Sequence, residues 1–194
     1  MTRRKALRAA GAVTTLLVLA PAAASAAPER FAVIPEASRV EFVSGTQMGE
    51  FRGGTAAVTG EIVYDPDDPS RPRVALSVDA GRLESDNAAR DKHMRERVLE
   101  VSRFPAITLT ATTFRPAGET AGTLEGRLAL HGVERPLGVP VRFAREGAAL
   151  RADARFDLAL ADFGMTPPRL LGLKVRDTVT VLARIVAGPV RAAR

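Results

Sequence analysis

His93 and His131 are the only histidines in this 194-residue chain, and there is no cysteine. As a general base or metal ligand, either would need a carboxylate or a second histidine beside it. No His-Glu-x-x-His, Gly-x-Ser-x-Gly or paired-carboxylate spacing supplies one. His93 shares the segment Asn87–Thr113 with Arg90 and Asp91. Neighbours on a helix point about 100° apart, so Arg90 and Asp91 do not pair with each other. Each reads as an anchor tying the helix to its surroundings. The functional alternative has Arg90 or His93 meeting a phosphate or quinone head, since Arg presents a planar fork suited to phosphate. His131 precedes Gly132 at a tight turn, where its ring can bond local backbone; a head-group contact is its alternative role. An enzyme would have to draw its base from His93, His131, Asp91 and Asp177. Asp65-Pro66-Asp67-Asp68-Pro69 lacks the twelve-residue loop and closing glutamate of a calcium-binding hand, and reads as a solvated turn. No catalytic residue, metal or other cofactor is expected.

The elements that would position these groups begin after a leader. Arg3, Arg4, Lys5 and Arg8 precede the short apolar run Ala12–Ala20, and Ala24-Ser25-Ala26 supplies a small-residue cleavage pattern. The run is too short to span a bilayer, which needs about 20 apolar residues. Residues 1–26 therefore read as a secretory signal, which makes 27–194 one periplasmic or secreted domain. Thr2-Arg3-Arg4-Lys5-Ala6-Leu7-Arg8 is also similar to a twin-arginine signal, with Ala6 where a bulkier apolar residue is usual, so the export route stays open. The leader carries four of the 28 Lys and Arg and none of the 22 Asp and Glu. That leaves 24 against 22, a net of +2, an excess matched by Arg191 and Arg194 at the C-terminal end. A basic face for nucleic acid is not expected. Without cysteine, an exported domain of this size is held by packing alone.

Period-two alternation dominates the rest. Val40 and Phe42 form one stripe; Val58, Gly60, Ile62 and Tyr64 another; Val74, Leu76, Val78 and Ala80 a third. Ser85-Asp86-Asn87 offers caps for one helix over about Ala88–Leu99, with Met94 and Val98 on its apolar side. Strand character returns at Ile107–Phe114 and at Leu124, Gly126, Leu128 and Leu130. After the His131-Gly132 turn, Leu137, Val139, Val141 and Phe143 share a face, with Pro136 and Pro140 opposite. Two prolines there imply an edge, a bulge or weakly paired backbone. Leu150, Ala152, Ala154, Phe156 and Leu158 alternate cleanly, 162–174 is irregular, and Val179, Val181, Ala183 and Ile185 close the chain. About eight strands, one short helix and one-sided alternation indicate an all-β fold, an antiparallel barrel or sandwich. Small inward groups at Gly60, Ala80, Ala111, Gly126, Ala152, Ala154 and Ala183 leave room for a ligand, unless the helix plugs the space.

The mature chain resembles the YceI-like family of exported, lipocalin-like barrels described as polyisoprenoid-binding. Five ordered signatures carry the likeness, which runs from about Phe31 to Ala187. Gly49-Glu50-Phe51-Arg52-Gly53 with Val58–Ile62 and Asp65–Pro69 is similar to the first long hairpin. Asn87, Arg90-Asp91 and His93-Met94 resemble the helix, and Phe104-Pro105-Ala106-Ile107 the strand start after it. Gly126–Val133 with Arg135-Pro136 resembles the His-Gly turn. Asp162-Phe163-Gly164-Met165 and Val175–Val179 resemble the closing signatures. Ser44–Met48 is shorter than the family's usual segment, and Val98-Leu99 stands where an aromatic pair is usual.

The resemblance implies a lipocalin-like barrel with an apolar tunnel that takes one isoprenoid or similar long chain and performs no chemistry. The inward stripes then give the expected lining. Phe42, Ile62, Leu76 and Val78 come from the first half of the chain, and Leu109, Leu128 and Leu130 from the middle. Val139, Val141, Phe156, Leu158 and Val181 come from the last third. Arg90, His93 and His131 are the head-group candidates near the mouth. Family members tend to pair as homodimers, and nothing in this chain locates such an interface. Two other classes stay open: an enzyme acting on the lipid, and an envelope stress or interaction protein whose barrel is filled.

Overall fold

The computed structural model describes residues 27–167, 169–170 and 173–190. The expected leader, with its cleavage point at Ala26, lies outside the described residues, as do Arg191 and Arg194. Ten strands form one antiparallel sheet: β1 (Glu29–Val33), β2 (Arg39–Thr46), β3 (Gly49–Thr55), β4 (Val58–Tyr64), β5 (Arg73–Asp79), β6 (Ala106–Pro116), β7 (Ala121–Leu130), β8 (Val133–Glu146), β9 (Ala149–Ala159) and β12 (Thr178–Pro189). A separate two-residue hairpin, β10 (Arg169–Leu170) and β11 (Leu173–Lys174), occupies the segment that reads as irregular.

The sheet closes because β12 pairs with β9 along one edge and with both β2 and β1 along the other. β1 and β2 are one stave broken at Pro35, where a 3-10 turn over Pro35–Ala37 interrupts the ladder. β3 and β4 are a second stave broken at Ala56-Ala57, since β2 pairs with β3 and β1 with β4. With β5–β9 and β12 this makes an eight-stave antiparallel barrel with one short helix. Closure leaves no continuous free edge, which is how an all-β chain avoids templating further strands.

Local chemistry fixes the joints. The β7–β8 turn has His131 at φ 52 and Gly132 at φ 75, the paired positive values of a two-residue turn that matches strand twist. Gly132 is required twice over, because a Cβ there would lie 2.5 Å from the Phe104 ring. β8 pairs with β7 from Val133 onward but with β9 only from Val141, so Pro136 and Pro140 fall where one edge of the strand is free. The prolines therefore sit where a missing amide donor breaks no ladder on that side. A register shift between Ala111 and Thr113 turns Phe114 back to the same face as Leu109.

The helix starts at Ala88 with Asn87 as its cap, whose Oδ1 accepts the Arg90 amide at 2.9 Å. α1 runs Ala88–His93 and passes into a wider turn over Met94–Val98, in which Leu99 N donates to Met94 O five residues back. Two buried clusters flank the interior. Leu83, Leu99, Leu130, Leu160, Phe163 and Met165 pack at the helix end. Phe31, Ile62, Val74, Ala111 and Ala187 pack toward the opposite end.

Candidate ligand-binding cavity

A cavity of about 980 Å³ runs through the barrel. Strand parity builds its wall: every stave contributes alternate residues, and these are almost all aliphatic or phenyl. Phe42, Ile62, Leu76, Val78, Leu109, Leu128, Leu130, Val139, Val141, Phe156, Leu158 and Val181 all line it. The sequence reading missed others that face it, among them Phe51, Met165 and Val175. Met165 lies in the irregular segment 162–174 and Val175 directly after it, where no period marks an inward face. Ala152, Ala154 and Ala183 are in the lining, so these small residues do widen the interior. Gly60 and Gly126 do not. A Cβ on Gly60 would lie 2.1 Å from Ala75 O, and one on Gly126 2.2 Å from Thr110 O, so these glycines permit close strand approach instead. Ala80 and Ala111 are packed into the core.

At the helix end the wall includes Ser44, Phe51, Asn87, Arg90 and His93. The helix brings in groups at four-residue spacing, Ala89 with His93 and Arg90 with Met94 and Val98, and at three-residue spacing, Asn87 with Arg90 and His93. Arg90 and Asp91 make no bond to each other. Both converge on the buried Ser85: Asp91 Oδ1 accepts from its amide at 2.9 Å and from its hydroxyl, while Arg90 Nε donates to Ser85 Oγ at 2.7 Å and Nη2 to Ser85 O. The Arg90 guanidinium lies 4.4 Å above the Phe51 ring, a cation–π contact that further fixes its direction. Asp91 is buried, and the network is what makes a carboxylate there tolerable.

The structure places His131 apart from Arg90 and His93. It is absent from the cavity wall; its ring lies 4.7 Å from Phe104, and Nε2 is 3.6 Å from Glu100 Oε1, too long for a hydrogen bond. The hydrogen bond from Arg103 holds the Glu100 carboxyl below the ordinary glutamate range; burial is the next largest effect and opposes it, and the charges of Arg103 and His131 add smaller lowering effects. Asp177 is also engaged elsewhere, its Oδ1 accepting from Ala161 N at 3.0 Å. His93, His131, Asp91 and Asp177 thus share no partner. Asp65 Oδ1 accepts from Asp67 N, and Asp68 holds Ser70 and Arg71, so the acidic run builds its own turn. Among the described residues no group of three His, Asp or Glu could hold a metal.

At the opposite end Tyr64, Thr120 and Arg145 reach the cavity. Arg145 Nη2 pairs with Glu29 at 2.8 Å, and its guanidinium lies 5.6 Å from the Phe31 ring.

The YceI-like domain matches residues 31–187. The chain belongs to the YceI-like family. Among curated relatives, a UPF0312 protein of Shewanella baltica (strain OS185) is 33% identical over 90 residues, covering 46% of this chain and 47% of that one. Protein YceI of Salmonella arizonae is 29% identical over 114 residues, covering 55% of this chain and 59% of that one. The match thus spans about half the length of these YceI-like relatives. Solved YceI-like barrels share the fold at lower identity. Burkholderia cenocepacia BcnA has a TM-score of 0.73 at 18% identity, covering 79% of this chain and 98% of its own. A polyisoprenoid binding domain from Saccharophagus degradans, implicated in plant cell wall breakdown, has a TM-score of 0.68 at 15% identity, covering 82% and 98%.

Proposed function

We propose that this YceI-like chain is an exported binding protein that holds one polyisoprenoid or comparable long-chain apolar lipid in its barrel, for transport, storage or stress response, without chemistry on it. The observation that carries the reading is the apolar cavity of about 980 Å³ inside a closed barrel. At roughly 30 Å³ per non-hydrogen atom, taken from the volume of a water in liquid, it has room for about 30 such atoms. A filled barrel, as expected of a pure interaction protein, would not show this space. Binding would come from burial of apolar surface, at about 25 cal/mol per Å² before the cost of ordering the chain. At about −0.3 kcal/mol per atom, 30 atoms give a ceiling near −9 kcal/mol, or a Kd of a few hundred nanomolar. The periplasm or the medium is the expected compartment, from the leader.

Native extraction and mass spectrometry of protein purified from its own source test the reading. A co-purifying long-chain lipid is the expected result. No co-purifying lipid, together with no uptake of an isoprenoid quinone or a polyprenyl phosphate, would sink it.

A further inference from the structure

We propose that the helix end of the cavity takes the ligand's head group, and that Ser44 there donates a hydrogen bond to an acceptor oxygen of that head. The proposal rests on the lipid-binding reading above. Ser44 continues the inward stripe of Val40 and Phe42 on β2 and lines the cavity. It is 6% exposed, and its Oγ has no hydrogen-bond partner among the described residues. A buried hydroxyl without a partner costs stability, and native structures hold few of them. An alanine would fit the same stripe without that penalty. The hydroxyl is covered in the empty barrel, so a turn about χ1 to another staggered position brings it to the cavity, where the ligand supplies its partner.

The surroundings say what kind of partner. Ser44 lies across the β2–β3 ladder from Phe51, and Arg90 sits on the Phe51 ring, so the three form one patch. Arg90 spends Nε and Nη2 on Ser85 and leaves Nη1 without a hydrogen bond among the described residues. Asn87 spends its Oδ1 on the Arg90 amide and keeps its side-chain NH₂ free. His93 stands beside them in the wall. Of the nearby carboxylates, Asp91 is buried against Ser85 and is not in the lining, and Glu41, which does reach the wall, is paired with Arg39 at 2.9 Å. The groups left unspent are chiefly donors, and donors want acceptor oxygens, such as those of a quinone carbonyl or a phosphoryl group. The other end presents Tyr64, Thr120 and Arg145. None of these is a buried group left without a partner, and Arg145 has Glu29 as a counter-charge, so an anionic head gains less there.

The test uses four probes on one twenty-carbon isoprenoid tail: the hydrocarbon, the alcohol, the monophosphate and a naphthoquinone. The full chain has no tryptophan, so affinities are read by native mass spectrometry or calorimetry. One or both acceptor-headed probes should bind about tenfold tighter than the hydrocarbon, and which one does identifies the source of the acceptor. Ser44→Ala should remove about three- to tenfold of that advantage, the worth of one hydrogen bond, and change hydrocarbon affinity less than about twofold. Ser44→Thr, which keeps the hydroxyl, should retain the advantage. Amide shifts that differ between acceptor-headed and hydrocarbon complexes should cluster at Ser44–Phe51 and Asn87–His93. Clustering at Tyr64, Thr120 and Arg145 overturns the orientation. Equal losses for all probes in Ser44→Ala overturn the contact. Hydrocarbon binding with no gain from any head overturns this proposal alone, whereas no binding of any probe overturns the lipid-binding reading with it.

Discussion

Ala154→Phe separates a barrel with room inside from a filled one by the sign of its effect. Ala154 faces Val141 on β8 and Ala183 on β12, and all three line the cavity. A phenyl ring placed there enters the cavity instead of a packed core. If it buries on the order of 100 Å², the gain at about 25 cal/mol per Å² is about 2.5 kcal/mol. Contact on one side only halves that, and lost rotamer freedom removes about 0.5 kcal/mol more. The result is a stabilisation of about 1 kcal/mol, or about 2–4 °C in Tm for a domain of this size. In a packed interior the same change would cost about 1–3 kcal/mol in overpacking. Thermal unfolding of lipid-free protein by far-UV circular dichroism reads the difference. Lipid must be removed first, because ligand at a hundred times Kd adds about 2.7 kcal/mol by itself. The same variant should lose at least about tenfold in affinity for an isoprenoid quinone, since the ring takes the space the chain needs. A Tm several degrees lower with quinone affinity unchanged would refute both the cavity and its use.

Three further outcomes follow from contacts around the helix and its neighbouring turn. Ser85→Ala removes the hydroxyl shared by Asp91 and Arg90 and should cost about 2–3 kcal/mol in urea unfolding, because a buried carboxylate loses a donor. Gly132→Ala puts a Cβ 2.5 Å from the Phe104 ring at φ 75 and should cost about 1–3 kcal/mol by the same measurement. Glu100 has its carboxyl held low chiefly by the Arg103 hydrogen bond. Its folded state therefore binds the proton less readily than the unfolded state, so its contribution is present above the ordinary glutamate range and is lost as pH falls through the lowered value. Carbon-detected NMR titration should show Glu100 rising toward the ordinary value in Arg103→Ala; no movement would discard that cause.

What could be read from the sequence was whatever strict alternation encodes. Leu150 to Leu158 on β9 and Val40 with Phe42 on β2 declared their inward faces because an unbroken ladder preserves parity. Phe114 did not, since the bulge after Ala111 flips parity at one point. The helix was visible through its Asn87 cap, but its widened turn at Met94 was not, because a change of hydrogen-bond register leaves the residue types unchanged. Gly60 and Gly126 read as space and are instead points of strand contact. Ser44 lies two residues beyond the stripe of Val40 and Phe42 and was not read as part of it, since a lone serine in a strand is ordinary; only burial without a partner sets it apart.

The broken staves and the polar groups in the cavity wall are connected. A strand can only offer every second residue to the interior, so a ladder closed all the way round would give an interior set by eight stripes of apolar side chains. Past the break at Ala56-Ala57, β3 stays with β2 and meets the β5 side of the barrel at a single bridge, Gly54 to Glu84. The connection from Ala80 to Pro105, carrying α1, occupies the side that β3 leaves unpaired, with Ala80 N bonded to Pro105 O at 2.9 Å across its base. A helix in that position presents residues at three- and four-residue spacing, which is how Asn87, Arg90 and His93 reach a wall whose strand stripes are mostly apolar. Ser85 then holds Arg90 and buried Asp91 in place from outside the cavity. Strand closure supplies the room, and the interruption of one stave lets the helix add Asn87, Arg90 and His93 to the strand-borne Ser44 at one end. A variant that restored continuous pairing between β3 and β5 would be expected to keep the cavity and lose these three helix groups from its wall.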